Sequence, residues 1–262
     1  MKIAFFDSGI GGLSVLHHAM KILPHEEFIF FADEDNVPYG TKSPEEVLNC
    51  VDEAFKFLIS QNVGAIVVAC NTATSVAVKI MREKYNLPII GMEPALKVAL
   101  DTFPNKKVLV TATAITITGK KIRRLIERLH AENLAKLRAL PRLVEFAERQ
   151  EFNSADVEKY LREELKSYDW GKFSSLVLGC THFNYFKDTF RKILPPHVKI
   201  LDGNAGTINE LIRRARLKPS NSLIFNSKSL ITYYSGRLVK DTAELARLEK
   251  FLRRLDELEL IY

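Results

Sequence analysis

The sequence is short of cysteine. Its 262 residues hold three, Cys50, Cys70 and Cys180. An odd count without a C-x-x-C pair excludes a disulfide framework and argues against zinc or thioredoxin-like redox chemistry. Reduced thiols predict a cytoplasmic protein. Long apolar runs are also missing. No stretch approaches the roughly 18 residues that suggest a membrane span, and the chain enters a strand by Ile3 with no basic-then-apolar leader. No membrane partner is therefore expected. Charge is not strongly one-sided either, at +6. The basic runs Lys120-Lys121-Ile122-Arg123-Arg124 and Arg213-Arg214-Ala215-Arg216 are punctuated by Ile and Ala and lack interleaved aromatics. They predict solvated helix faces, and no nucleic-acid partner. A dinucleotide fingerprint is absent too. Asp7-Ser8-Gly9-Ile10-Gly11-Gly12 has the wrong glycine spacing, and Asp7 would oppose a pyrophosphate. A turn offering a carboxylate and a hydroxyl to a small ligand fits better.

What remains is an ordinary globular composition, 47% apolar and 27% charged. Short apolar strands alternate with amphipathic helices throughout, which predicts an α/β fold with mainly parallel sheets and helices on both faces. We expect two doubly wound lobes, residues 1–93 joined by a returning segment 208–262, and residues 94–207. Helices are expected over Ser75 to Tyr85, from beyond Thr116 to about Asn133, from Cys180 to Leu194 and from Leu238 to Leu255. One or two β-rich segments are expected within Leu223 to Tyr234. In such folds the functional loops follow the carboxyl ends of the strands. Asp7, Asp33, Cys70, Thr113, Cys180 and Asp202 all stand there.

The chain is organised around Ala65-Ile66-Val67-Val68-Ala69-Cys70-Asn71-Thr72. This is a buried-type strand ending in a thiol at a helix start, where N–H groups and the helix dipole favour a thiolate. Ser175-Leu176-Val177-Leu178-Gly179-Cys180-Thr181-His182 repeats the pattern. Two equivalent thiols, one in each half, suggest chemistry needing an acid/base group on each of two faces. Asn71, Thr72 and Thr181 add small polar groups suited to a carboxylate. His182 could poise the second thiol or assist proton transfer. Cys50, inside a helix, is a packing residue. Tyr39, in the turn Pro38-Tyr39-Gly40, can offer a phenol to a ligand.

Phe6-Asp7-Ser8-Gly9-x-Gly11-Gly12, Ala32-Asp33-x4-Pro38-Tyr39-Gly40, Val68-Ala69-Cys70-Asn71-Thr72-Ala73 and Leu178-Gly179-Cys180-Thr181-His182-Phe183 together resemble glutamate racemase of the aspartate/glutamate racemase superfamily, with Tyr234-Ser235-Gly236 similar to its C-terminal segment. The resemblance implies two pseudo-symmetric α/β domains with the active site in the interdomain cleft, usually as a homodimer. It implies cofactor-independent and metal-free interconversion of L- and D-glutamate, the D-isomer being a peptidoglycan precursor. Cys70 and Cys180 match its acid/base cysteines, Cys70 serving D-glutamate and Cys180 L-glutamate. Asp7 and His182 match the groups that assist those thiols. Ser8, Tyr39, Gly40, Asn71, Thr72, Thr113, Thr116 and Thr181 match substrate contacts, and Asp33 a further acid of the family's motifs. A further catalytic glutamate is expected near His182. Glu148 is the candidate, with Glu145, where the family usually has proline, a competing carboxylate. Leu140, Ala112 and Gly119 also depart from the usual Cys, Gly and Ser.

The same residues leave three other functions in play: a racemase of aspartate or another amino acid, a non-catalytic two-lobed amino-acid-binding protein, and a cysteine hydrolase or redox protein using Cys180 and His182. The last leaves the Cys70 repeat without a role.

Overall fold

Residues Ile3, Phe5, Phe28, Phe30, Ala65 and Val67 point to one face of a sheet, while Ala4, Phe6, Ile29, Phe31, Ile66 and Val68 point to the other. Both sets are buried. Strands apolar on both faces must lie between two helical layers, the usual setting of parallel sheets. In the computed structural model, which describes residues 1–92, 94–220 and 230–260, ten strands form two sheets. Strands β1 (Lys2–Asp7), β2 (Glu27–Ala32), β3 (Ala65–Val68), β4 (Ile89–Gly91), β9 (Leu230–Tyr234) and β10 (Arg237–Leu238) form the first, in the order β10-β9-β2-β1-β3-β4. Strands β5 (Lys107–Ala112), β6 (Ala135–Ala139), β7 (Phe173–Leu178) and β8 (Lys199–Asp202) form the second, in the order β6-β5-β7-β8. All pairings are parallel except β9 with β10.

The run β2-β1-β3-β4 and the run β6-β5-β7-β8 have the same order, so the halves are pseudo-symmetric, with β1 matching β5 and β3 matching β7. Phe6 pairs with Val68, and Thr111 with Leu178. Cys70 and Cys180 thus emerge two residues beyond equivalent register points. The helix Pro44–Ser60 covers one face of the first sheet through Val47, Val51, Phe55 and Leu58. It begins with the expected capping box, Glu46 N donating to Ser43 Oγ and Ser43 N to Glu46 Oε2. The opposite face shares one continuous core with the second sheet, from Ile3 and Phe5 through Leu13 and Leu16 of the helix Leu13–Ile22 to Leu109, Leu176 and Leu178. Each fully buried Phe or Leu there contributes about 1.5–3 kcal/mol. This shared core brings the carboxyl ends of the two sheets to a common seam.

Several elements differ locally from expectation. The segment after Cys70 forms two helices, Asn71–Val76, capped by Cys70 itself, and Val78–Lys84, which divide at Ala77. The segment after Thr113 divides at the extended Gly119 into helices Ala114–Thr118 and Lys120–Arg128. A 3-10 turn, Thr181–Phe186, precedes the helix Lys187–Ile193. The terminal helix starts late, at Thr242, because Arg237–Leu238 pairs with β9 and Asp241 provides the N-cap. Of the β-rich stretch 223–234, residues 223–229 lie outside the described residues. The basic runs sit on exposed faces, Arg213 and Arg214 both paired with Glu210. Among the described residues, no helix is long and apolar enough to cross a membrane.

Candidate active site

The carboxyl ends of the central strands from both sheets converge on one narrow cleft of about 20 Å³, lined by Ser8, Tyr39, Gly40, Cys70, Asn71, Thr72, Thr113, Cys180, Thr181 and His182 together with Pro38 and Val144. That is room for about one water molecule, so an amino-acid-sized ligand enters only if the cleft widens. Asp7 and Glu148 stand behind the lining, and Thr116 joins it through Thr72 and Thr113.

Each thiol is backed by its own relay. Cys70 Sγ donates to Ser8 Oγ at 3.5 Å, and Ser8 Oγ donates to Asp7 Oδ1 at 3.3 Å. Gly9 N–H and Thr181 Oγ1 donate to the same carboxylate at 3.1 and 3.0 Å. Asp7 is fully buried, and burial pushes its carboxyl up to about 6, against the pull of the His182 charge and these hydrogen bonds. Cys70 is pushed up to about 12, by burial and by the Asp7 charge, despite a 3.4 Å hydrogen bond from Ala73 N–H. The thiolate expected at this helix start is thus outweighed by desolvation, which favours Cys70 as a thiol.

On the other side, Cys180 Sγ lies 3.9 Å from His182 Nδ1, and His182 Nε2 lies 2.6 Å from Glu148 Oε1. Burial alone would depress the His182 imidazole, but its hydrogen bonds to Cys180 and Glu148, with their charges, raise it well above its ordinary value. Burial pushes Glu148 up, yet His182, Arg247 and the Ile10 N–H together hold it below the usual carboxylate range. The carboxylate therefore accepts from Nε2, leaving Nδ1 to exchange a proton with the thiol. Of the two candidate carboxylates only Glu148 reaches the imidazole. Glu145 is 56% exposed and pairs with Arg149.

Polar groups fill the rest of the rim. The Thr72 and Thr113 hydroxyls lie 2.9 Å apart, and Thr113 donates to Thr116 at 3.0 Å. Tyr39 donates to Asp33 Oδ2 at 2.6 Å, and Ser235 and Asn36 donate to Asp33 Oδ1. Asp33 therefore orients the phenol, which burial and that carboxylate keep protonated. Gly11 backs the imidazole so closely that a Cβ there would come within 2.5 Å of His182 Nδ1 and Thr181 Oγ1.

Sequence reasoning misses Arg247 and Glu34. Arg247 donates to Glu148 Oε2 at 2.7 Å and pairs with Glu34 Oε2 at 3.2 Å. Burial and the neighbouring Glu148 charge push Glu34 up to about 7, against Arg247. Arg247 reads as one more cation on an amphipathic terminal helix, and nothing local marks its reach across the fold.

Residues 14–211 match the model of a family described as Asp/Glu/hydantoin racemase. A glutamate racemase of Campylobacter curvus is 50% identical over 98% of each chain. Among solved structures, a glutamate racemase from Campylobacter jejuni superposes with a TM-score of 0.81 at 25% identity, over 97% of this chain and 98% of that one. The Escherichia coli glutamate racemase in complex with L-glutamate and activator UDP-MurNAc-ala superposes with a TM-score of 0.80 at 26% identity, over 97% and 94% of the two chains.

Proposed function

The chain belongs to the Asp/Glu/hydantoin racemase family, and from that premise we propose that it interconverts L- and D-glutamate through its two cysteines, without a cofactor. The observation that carries this reading is the pair of thiols from register-equivalent strands β3 and β7 lining one small cleft. Inversion at Cα needs a base on one face and an acid on the other. Cys180 removes the α-proton of L-glutamate while Cys70 delivers one to the opposite face, and the roles reverse for D-glutamate.

Of the two thiols, one must enter as thiolate. His182 Nδ1 can take the Cys180 proton, its imidazolium stabilised by Glu148. For Cys70 the balance must shift on binding. The substrate's α-ammonium brings positive charge beside the thiol and Asp7, which offsets what burial costs the anion. The Asn71 amide offers donors for the carboxylates, and on binding the hydroxyls of Ser8, Thr72, Thr113, Thr116 and Thr181 and the Tyr39 phenol at Gly40 can exchange their present acceptors for them. They strengthen as charge spreads onto the α-carboxylate at the transition state. The division into 1–93 with 208–262 and 94–207 gives each domain one thiol, so closing the domains would exclude water from the carbanion.

A homodimer, a cytoplasmic location and a role supplying D-glutamate for peptidoglycan synthesis belong to the same reading. Circular dichroism of L- and D-glutamate incubated with the protein, without added cofactor, tests it. Both solutions should decay to zero rotation. Persistent rotation with glutamate, or faster inversion of aspartate, sinks the assignment.

A further inference from the structure

Arg247 lies outside every motif that led to the site, yet its guanidinium joins the two halves. Glu34 follows β2 and Glu148 ends the helix that follows β6, the corresponding strands of the two sheets. Arg247 reaches both from the C-terminal helix, at 3.2 and 2.7 Å. Its plane is set by the rings of Tyr234 and Phe251, whose centroids lie 5.7 and 5.5 Å away. Glu148 Oε1 is already committed to His182 Nε2 and to Ile10 N–H at 3.2 Å, so Arg247 fixes the remaining oxygen. Glu34 Oε1 is buried without a hydrogen-bond partner.

We propose that Arg247 is a positioning residue for the Cys180 half of the site, holding Glu148 in the orientation that fixes the His182 ring against Cys180. The inference rests on the racemase reading above. Without Arg247, two largely buried carboxylates face each other with only the His182 charge on the far side of Glu148 to offset them, which favours one taking up a proton or turning away. Glu148 then ceases to be a fixed acceptor, and the imidazole loses the partner that sets its tautomer. The hydrogen bonds of Cys70 run to Ser8 and Ala73, with Asp7 behind them, and none involves Arg247. The defect should be one-sided.

The test is NMR of Cα–H loss from each glutamate isomer in D2O, with wild type and Arg247→Ala. Inversion should fall about tenfold or more in both directions, as when a group orienting a catalytic side chain is lost. D-glutamate should still give up its α-proton to Cys70. That thiol exchanges with solvent and returns a deuteron, yielding deuterated D-glutamate without inversion. L-glutamate exchange should fall with inversion. Glu148→Gln with Arg247→Ala should be no slower than Glu148→Gln alone. Unchanged inversion, equal loss of exchange from both isomers, or multiplying losses in the double variant would each overturn the inference. Should Arg247→Ala fail to fold, Arg247→Lys, which can hold one carboxylate but not both, is paired with Glu148→Gln and judged by the same rule. If wild type neither inverts nor exchanges glutamate, the racemase reading fails on its own. The positioning role is then decided by the His182 Nε2–H resonance, identified by its loss in His182→Asn. Arg247→Ala should shift or broaden it, and an unmoved resonance overturns the inference.

Discussion

Thr181 Oγ1 donates a 3.0 Å hydrogen bond to Asp7 Oδ2 across the seam between the two sheets. The residue beside one thiol thereby holds the carboxylate behind the other. Asp7 is nevertheless destabilised as an anion, since burial raises it from 3.8 to about 6. The native state therefore binds this proton more tightly than the unfolded chain, and stability falls as pH rises from about 4 to 6. Above that window the penalty levels off at about 3 kcal/mol. Asp7→Asn removes the titration, so its stability relative to wild type should be higher at pH 8 than at pH 4. Denaturant melts at both values measure this, and a pH-independent difference would refute the assignment.

Cys70→Ala and Cys180→Ala should each lower racemisation by at least about 10³-fold, a general acid/base contribution alone reaching about 10²–10⁴. Far-UV circular dichroism and melting should stay near wild type, since each thiol fills a small volume. Near-normal turnover in either variant would end the two-base account.

Glu148→Gln should lower kcat/KM about 10–100-fold, because a neutral amide cannot hold the imidazolium. Glu145→Gln should leave it unchanged, as Glu145 is 56% exposed and pairs with Arg149 at the surface. Steady-state kinetics of the two variants separate them, and equal losses would mean that the helix Arg142–Glu148 as a whole is what matters.

Gly11→Ala tests the packing behind the imidazole. The added methyl would sit 2.5 Å from both His182 Nδ1 and Thr181 Oγ1, so the ring must move. Overpacking of this kind costs about 1–3 kcal/mol of stability. The fall in kcat/KM should exceed that in a Gly206→Ala control, where a Cβ meets nothing. Equal effects would show that the imidazole tolerates displacement.

Much of this was legible along the chain. The central strands announce themselves as short apolar runs because both faces are buried. Cys70 and Cys180 stand out because each follows such a run in the same register. The choice between Glu148 and Glu145 was not legible. Both lie on one short helix, and only tertiary packing decides which turns inward. Arg247 was invisible for the same reason, its partners being distant in sequence. The protonation of Cys70 was misjudged because local helix-start geometry favours a thiolate, while burial beside Asp7 depends on strands that meet only in the fold.

The most direct test of the account follows Cα deuteration and configuration together, for L- and D-glutamate in D2O with wild-type protein and no added cofactor. Two-base chemistry predicts that each isomer's inverted product carries one solvent deuteron at Cα from the first turnovers, with no lag. Glutamate that binds with no loss of the Cα–H signal, or that inverts with its original proton retained throughout, would contradict it.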